Sequence, residues 1–240
     1  MNKILARAGL TSRRGADQAV LEGRVAVNGV VIREPGTLAD PAADRVTVDG
    51  RPVPPPESSQ YLLVNKPAGV VTTVRDPHGR RVVTDLLPPS VRERVYPVGR
   101  LDADVEGLLL LTNDGPLTHR LLHPRYGLPR LYEAEVTGRV SEADVPRWRR
   151  GITLDDGPAV PLTVELVRSA TASSTVRLAF TEGRKHEVKR YCDALGHRVQ
   201  RLRRIAFGPL RLGGLPLGSC RALTPRELAA LRAATTPAPP

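Results

Sequence analysis

Aromatic residues are scarce in this 240-residue chain: two Phe, one Trp and five Tyr make up 3% of it. Hydrophobic residues account for 40% of the sequence, so the core is predicted to be aliphatic, built from Leu, Val, Ile and Ala. Few rings are available to stack against nucleic-acid bases. A chain of this composition that binds a nucleic acid must therefore depend on contacts between arginine and phosphate.

Cysteines and long apolar runs are also lacking. Cys192 and Cys220 are the two cysteines, and neither belongs to a Cys-x-x-Cys pair or lies beside a histidine cluster. This pattern argues against a disulfide framework and against a metal site, and it fits a reducing compartment. The N-terminus has no apolar signal core, and no apolar run approaches the roughly 20 residues that span a membrane. We therefore expect a soluble cytoplasmic protein that binds neither a metal nor a membrane.

Positive charge is abundant. The chain has 36 Lys and Arg against 25 Asp and Glu, which gives a net charge of +11. An excess of this size, mostly arginine, favours a polyanionic partner, because planar guanidinium groups bind phosphate and release its counterions. A merely basic composition without such a partner is the alternative.

Residues 1–51 are predicted to form a small domain of their own. Ile4, Leu5 and Ala8 share one face of a first helix, and Ser12 is suited to cap a second one. The Asn28-Gly29 pair is typical of a tight turn between two strands. A further strand is expected just before residue 49.

Residues 52–59 contain four prolines and are predicted to be a semi-extended linker. Residues 60–232 mix helical and strand-like patterns and form a second domain. A capping box, Thr224-Pro225-Arg226-Glu227, begins its last helix. Residues 233–240 are expected to be a flexible tail. The strand-like runs are residues 61–64, 108–111, 132–136 and 175–180.

The segment 99–115 sets an acidic loop directly before four consecutive leucines. A short apolar run of this kind, bounded by Gly and by Asn113-Asp114-Gly115, is typical of a fully buried strand that ends in a turn. The loop preceding it can hold a carboxylate in fixed geometry, as a catalytic group requires. On composition alone, Asp102, Asp104 and Glu106 compete for that role.

A second basic cluster occupies residues 183–211, which contain nine Lys or Arg against two Asp or Glu. Val188, Tyr191 and Cys192 can face inward at helical spacing, leaving basic side chains to point outward. Such a face is predicted to bind a phosphate backbone. The predicted contacts are Arg184, Lys185, His186 and Arg190.

The N-terminal domain resembles the small RNA-binding module named after ribosomal protein S4. The resemblance is carried by LARAGLTSRR at residues 5–14 and by GRVAVNG at residues 23–29. It implies RNA contacts from the basic residues of the two helices and from the turn. These candidates are Arg7, Arg13, Arg14, Arg24 and Asn28.

The second domain resembles the bacterial ribosomal-RNA pseudouridine synthases of the RsuA/RluB branch. Three blocks carry the resemblance: residues 61–70, 99–115, and 182–190 extended through 207–210. The implied fold class is α+β, with a small N-terminal α/β RNA-binding module linked to a catalytic domain. That domain is built on a mixed, mostly antiparallel sheet flanked by helices.

The resemblance also implies a reaction and its residues. The enzyme breaks the bond between C1′ and N1 of a uridine in ribosomal RNA, rotates the base and rejoins it through C5. Asp102 is the implied essential carboxylate, acting as a nucleophile or as a base, and Lys189 is its cationic partner. Tyr132 packs against the flipped base and can take the C5 proton, and Arg100 fills the gap that the uridine leaves in the stack.

Two positions depart from the pattern of the family. Val105 replaces a residue whose hydroxyl would brace the catalytic loop, and Glu187 stands where Gln is usual. Large-subunit RNA is favoured over small-subunit RNA on overall similarity. A silent RNA-binding assembly factor and an S4-type stress protein or synthetase appendage are the alternatives. We expect no cofactor, a monomer, and a structured RNA hairpin or a pre-ribosomal particle as the partner.

Overall fold

The computed structural model describes residues 1–236; the last four residues of the predicted tail lie outside the described part. The chain divides into two compact units. One contains residues 1–59 with 92–94, and the other contains residues 60–91 together with the residues from 95 onward. None of the helices within residues 1–236 is both long and apolar enough to cross a membrane.

The N-terminal unit packs two helices on a four-stranded antiparallel sheet of order β2-β1-β3-β4. Its elements are α1 Asn2–Arg7, α2 Arg13–Leu21, β1 Val25–Val27, β2 Val30–Ile32, β3 Val46–Val48 and β4 Arg51–Pro52. As predicted, the Ser12 hydroxyl accepts a hydrogen bond from the Gly15 amide and caps α2. Asn28 and Gly29 both have positive φ, 52° and 83°, as a tight hairpin turn requires.

The sheet extends into the segment predicted as a linker. Pro52 pairs with Thr47, and the Val53 amide donates to the Val46 carbonyl. A proline is tolerated there because β4 is an edge strand that needs no amide donor on its free side.

The second unit contains a nine-stranded sheet. Its path runs β11-β12-β8-β13-β7-β5-β15, with β14 added to β13 and β6 added to β7. The neighbours β13 and β7 are parallel, and every other pair in this sheet is antiparallel. The predicted mixed, mostly antiparallel sheet is confirmed.

The strands and helices of this unit are as follows. The strands are β5 Tyr61–Lys66, β6 Tyr96–Pro97, β7 Glu106–Thr112, β8 Arg130–Thr137, β9 Ile152–Leu154, β10 Gly157–Ala159, β11 Thr163–Ser169, β12 Ser173–Phe180, β13 Val199–Phe207, β14 Leu210–Arg211 and β15 Cys220–Ala222. The helices are α3 Gly115–Leu122, α4 Val145–Arg150, α5 Glu187–Ala194 and α6 Pro225–Ala233. Strands β9 and β10 form a separate hairpin.

Strand β7 contains four consecutive leucines because it is buried on both faces of the sheet. All four are completely buried, and they alternate between two cores on opposite faces of the sheet. Leu109 and Leu111 belong to the core that contains α5, and Leu108 and Leu110 belong to the core that contains α3 and α6. Burial on both faces removes the polar alternation of a half-exposed strand.

One local prediction is wrong. The Asn113-Asp114-Gly115 segment does not form a turn with a positive-φ glycine; it begins α3. The Asp114 carboxylate accepts a hydrogen bond from the Leu117 amide, and Pro116 lies in the first turn, so the segment has the chemistry of a helix N-terminus. At the other end of the unit, the capping box at Thr224 and Glu227 is present as predicted. Thr235 of the expected tail is buried.

Candidate active site

A cleft of about 1200 Å³ opens in the second unit beside the start of β7. Its walls are the loop 98–105, the segment 121–132, the segment 181–189 and part of β13. The structure brings seven of the predicted site residues into this cleft. They are Arg100, Asp102, Tyr132, Arg184, Lys185, His186 and Lys189.

The loop that carries Asp102 is braced by Thr72. The Thr72 hydroxyl donates to the Leu101 carbonyl at 2.6 Å, and the Leu101 amide lies 3.3 Å from the same oxygen. Both residues are buried. Val105, which lacks the expected hydroxyl, is buried in the core, and its amide donates to the Asp102 carbonyl. A threonine 30 positions before Asp102 thus supplies a hydroxyl brace that Val105 cannot.

Lys66, at the end of β5, holds the same loop from a second direction. Its ammonium donates to the carbonyls of Pro67, Val70 and Ala103 at 2.9, 2.8 and 3.2 Å. Three acceptors match the three N–H bonds of an ammonium. Burial lowers the pKa of Lys66 to about 8, although the charges of nearby Asp104, Asp102 and Glu106 favour the ammonium. Lys66 therefore links the segment 67–70 to the loop that carries Asp102.

The predicted ion pair between Lys189 and Asp102 is not the main contact that Lys189 makes. Its ammonium binds both oxygens of Asp104, at 2.7 and 2.6 Å, and lies 4.0 Å from Asp102. The hydrogen bond from Lys189 lowers the pKa of Asp104. Two carboxylates that lie two residues apart compete for one ammonium, and the more exposed one binds it.

The three acids of the loop therefore have different surroundings. Asp104 is paired with Lys189, and Glu106 accepts a hydrogen bond from Arg201 at 2.7 Å. Asp102 lines the cleft, and its side chain is 34% exposed. The imidazole Nε2 of His186 lies 3.6 Å from Asp102 Oδ2. Of the three, Asp102 is the carboxylate open to a ligand in the cleft.

Tyr132 and two arginines form the part of the wall contributed by the sheet. Tyr132 lies on β8, half-buried, opposite Arg204 of β13. The guanidinium groups of Arg130 and Arg204 each lie 5.5 Å from the centre of the Phe207 ring. Burial lowers the pKa of Arg130, which also donates to the Thr181 carbonyl. Sequence reasoning missed both arginines as site residues, because basic residues recur along both strands without a distinguishing pattern.

The predicted helical face is not formed as expected: α5 begins at Glu187, so Arg184, Lys185 and His186 precede the helix. The basic side chains at its start are also less available than predicted. Arg184 pairs with Asp156 at 2.9 Å and with Glu187, and Arg190 pairs with Asp155 and with Asp156. The two aspartates form the turn of the β9–β10 hairpin. Arg184 and Arg190 are thus engaged by carboxylates, and Arg190 lies outside the cleft lining. Lys185 and His186 remain exposed.

Glu187, the other departure, is buried beside Arg184. Burial raises the pKa of its carboxyl, and the hydrogen bond and charge of Arg184 oppose that rise. The carboxyl of Glu187 therefore does not face the solvent.

In the N-terminal unit, two of the residues predicted to contact RNA instead form hydrogen bonds within the domain. Arg24 binds both oxygens of Asp49 at 2.9 and 2.6 Å, and Asn28 donates to Asp44 and accepts from the Arg45 amide. The other three candidates are exposed and, among the described residues, pair with no carboxylate. They are Arg7, Arg13 and Arg14.

Comparisons with known proteins match both units. The family model of RNA pseudouridylate synthases matches residues 60–194, and the S4 domain model matches residues 2–44. An uncharacterized RNA pseudouridine synthase of Aquifex aeolicus is 48% identical over 232 residues, which cover 96% of this chain and 92% of that protein. Ribosomal large subunit pseudouridine synthase B of Bacillus subtilis is 40% identical over 235 residues, covering 97% and 95% of the two chains.

A solved structure supports the same assignment over both units. A crystal structure of a pseudouridylate synthase superimposes with a TM-score of 0.68 at 28% sequence identity, covering 96% of this chain and 98% of the other. The resemblance inferred from the sequence motifs is confirmed: the chain is an S4 domain followed by a catalytic domain, and it belongs to the RNA pseudouridylate synthase family.

Proposed function

We propose that this protein converts one or more uridines of large-subunit ribosomal RNA to pseudouridine in the cytoplasm, acting as a monomer with Asp102 as the essential carboxylate. The observation that carries the proposal is the position of Asp102 among the three loop acids. Asp104 and Glu106 are bound by cations, whereas Asp102 faces the cleft. The choice of RNA rests on the similarity to the large-subunit enzyme of Bacillus subtilis.

The isomerisation exchanges one bond for another. The bond between N1 and C1′ breaks, a bond between C5 and C1′ forms, and the proton lost from C5 is balanced by one gained at N1. The reaction is redox neutral, so its chemistry calls for no redox cofactor. Asp102 acts on the sugar as a nucleophile or on the base, and this position beside β7 suits either role.

The other cleft residues fit supporting roles. Tyr132 presents a half-buried ring to a base extruded into the cleft, and Arg100 is exposed at its rim, where it can occupy the vacated place in the RNA stack. Lys189 lies 4.0 Å from Asp102, and this attraction helps to hold the carboxylate in place. A structured hairpin or a pre-ribosomal particle would present the uridine, and Arg7, Arg13 and Arg14 are available for phosphates.

The test is a pseudouridine map of both ribosomal RNAs from cells with and without the gene. We expect a site in large-subunit RNA to disappear on deletion and to return with the wild-type gene, but not with Asp102→Asn. Loss of a small-subunit site instead would reassign the substrate. If no site disappears, the protein is a silent RNA-binding assembly factor.

Thr72 is expected to matter for the rate of the reaction because it braces the Asp102 loop. Thr72→Val removes both hydrogen bonds to Leu101, and a misplacement of the carboxylate by about 1 Å can cost about 100-fold in rate. We expect kcat to fall by about 10- to 100-fold while KM for the RNA stays within about twofold. Steady-state kinetics on a ribosomal RNA transcript measure both constants. Thr72→Ser keeps the hydroxyl and should retain most of the activity; equal losses in the two variants would contradict the bracing role.

The carboxylates of the β9–β10 turn are expected to weaken RNA binding. Asp155→Asn combined with Asp156→Asn would remove both ion-pair partners of Arg190 and one of the three of Arg184, which favours contacts of these arginines with phosphate. Each added contact steepens the dependence of log K on log salt by about 0.7 to 0.9. We expect tighter binding below about 0.1 M salt and a slope steeper by about one to two.

A matched control for this prediction lies on the same helix. Asp193→Asn makes the same kind of change of charge at an exposed position of α5 that, within the described residues, has no ion-pair partner. Filter binding of a ribosomal RNA transcript at several salt concentrations compares the variants. If the double variant and the control have the same slope, the two arginines do not reach the RNA.

A further inference from the structure

An exposed loop that follows β5, residues 73–81, takes no part in lining the cleft. It contains three arginines, Arg75, Arg80 and Arg81, against one acid, Asp76. We call it the arginine loop. An exposed segment with an excess of arginine favours a partner that carries phosphate, because the planar guanidinium group binds phosphate oxygens in pairs.

The arginine loop is held in one conformation from within. Oδ2 of Asp76 accepts hydrogen bonds from the backbone amides of His78 and Arg80 at 3.1 and 3.0 Å, and Oδ1 accepts one from the Arg80 guanidinium at 2.6 Å. The Asp76 side chain is 4% exposed, and the hydrogen bond from Arg80 holds the pKa of its carboxyl well below its usual range. A β-bridge between Val71 and Val82 joins the two ends of the loop. A loop ordered in this way loses little conformational freedom when it binds a ligand.

The start of the arginine loop is bonded to the loop that carries Asp102. Thr72, the residue before the arginine loop, forms two hydrogen bonds with Leu101, the neighbour of Asp102. Arg75 is three residues from Thr72, so the Cα atoms of the two are at most about 11 Å apart. An RNA strand whose uridine reaches Asp102 can therefore bring its neighbouring phosphates within reach of the arginine loop.

Two arginines of this loop are available to those phosphates. Arg75 and Arg81 are exposed, and within residues 1–236 neither pairs with a carboxylate. Arg80 differs from them, because its guanidinium is bound by Asp76. The ion pair stabilises the loop, and the two remaining charges stay exposed on it.

We propose that the arginine loop binds the RNA strand next to the target uridine: Arg75 and Arg81 contact its phosphates, and Asp76 keeps the loop in the conformation that presents them. The proposal rests on the function proposed above, because a uridine bound at Asp102 is what places the strand beside the loop. These contacts are made to the backbone and position the RNA without reading its sequence. Neither arginine lines the cleft, so both act on affinity and not on the chemical step.

The charge of the loop is tested with Arg75→Gln combined with Arg81→Gln. Each lost phosphate contact makes the dependence of log K on log salt shallower by about 0.7 to 0.9, so we expect a slope smaller by about 1.4 to 1.8 and an affinity about 10-fold or more lower at 0.1 M salt. The single-turnover rate constant at saturating enzyme should stay within about threefold of the wild type, since no group in the cleft is changed. Filter binding of a large-subunit ribosomal RNA transcript at several salt concentrations gives the slope.

The matched control removes two arginines elsewhere in the same unit. Arg150→Gln combined with Arg226→Gln changes exposed positions of α4 and α6. Within the described part of the chain, neither helix is hydrogen-bonded to the loop that carries Asp102. The control should keep the wild-type slope. A wild-type slope in the arginine-loop variant, or the same loss of slope in the control, would overturn the proposal.

The role of Asp76 is tested by two variants of equal charge. The carbonyl oxygen of Asp76→Asn can still accept hydrogen bonds from the amides of His78 and Arg80, whereas Asp76→Ala accepts none. We expect Asp76→Ala to bind the transcript about 3- to 10-fold more weakly than Asp76→Asn, because a loosened loop must be ordered on binding. Urea unfolding followed by Trp148 fluorescence checks that both variants are folded. Equal affinities would show that the loop acts through its charge alone, against the role given to Asp76.

The failure of this proposal can be told apart from the failure of the proposed function. A wild type that forms no pseudouridine in large-subunit RNA contradicts the proposed function, whatever salt slope is measured. An active wild type together with an arginine-loop variant of unchanged slope contradicts the RNA-binding role of the loop alone. If that variant binds the transcript normally but fails to modify pre-ribosomal particles, the loop contacts a protein of the particle and the proposal is wrong.

Discussion

Asp102→Asn is expected to lower the rate of pseudouridine formation by at least about 10⁴-fold, because an amide can neither attack the sugar nor accept a proton. Asparagine has nearly the same shape as aspartate, so the loop held by Thr72 and Lys66 should keep its conformation. The affinity for a ribosomal RNA transcript should stay within about threefold of that of the wild type. Single-turnover kinetics and a binding isotherm separate the two quantities.

The matched control is Asp104→Asn, two positions along the same loop. Asp104 is largely exposed and its carboxylate binds Lys189, so the substitution removes an ion pair without removing the carboxylate in the cleft. We expect Asp104→Asn to keep the rate within about 10-fold of the wild type. A larger loss than that of Asp102→Asn would make Asp104 the essential acid and would overturn the assignment.

Gly107→Ala is expected to destabilise the catalytic unit by roughly 3 kcal/mol or more. Gly107 has a φ of 108°, which alanine adopts only with strain, and it lies where β7 meets β13 in parallel. A β-carbon there would collide with the backbone carbonyl oxygen of Arg204 and lie 2.8 Å from its amide nitrogen. Neither β7 nor β13 can move apart without breaking the pairing that places the Asp102 loop beside β13.

The single tryptophan makes this prediction measurable. Trp148 is buried in the core of the catalytic unit, so its fluorescence during urea unfolding reports that unit. Gly214→Ala is the control, because its φ is not positive and a β-carbon there meets no atom within 4 Å. We expect the midpoint of Gly214→Ala to match the wild type. Equal urea midpoints for Gly107→Ala and Gly214→Ala would show that the pairing of β7 with β13 tolerates a side chain at position 107.

Local patterns predicted the parts of the fold that depend on neighbouring residues. The capped helix after Ser12, the hairpin at Asn28 and the buried strand of leucines all depend on contacts within a few positions. The segment at Asp114 failed because the same residue types that favour a turn also cap a helix. Only the apolar spacing of the residues that follow, Leu117 and Leu121, distinguishes the two.

The site was predictable as a set of residues but not as a set of contacts. Asp102 followed from its motif, whereas the braces from Lys66 and Thr72 join its loop across 37 and 29 positions of chain. Nothing in the sequence indicates which of two neighbouring aspartates binds Lys189. The carboxylates that engage Arg184 and Arg190 belong to a hairpin far from α5 in the sequence, and long-range charge pairing of this kind leaves no local pattern.

The strand β7, with its leucines shared between two cores, has a consequence for the motions of the enzyme. A segment buried on both faces opens only when most of its domain unfolds, so its amide hydrogens belong to the slowest class to exchange with solvent. The strand next to Asp102 is therefore expected to keep its position when other parts of the cleft move. We expect any opening that admits an extruded nucleotide to come from the opposite wall, where residues 182–186 are largely exposed and precede α5.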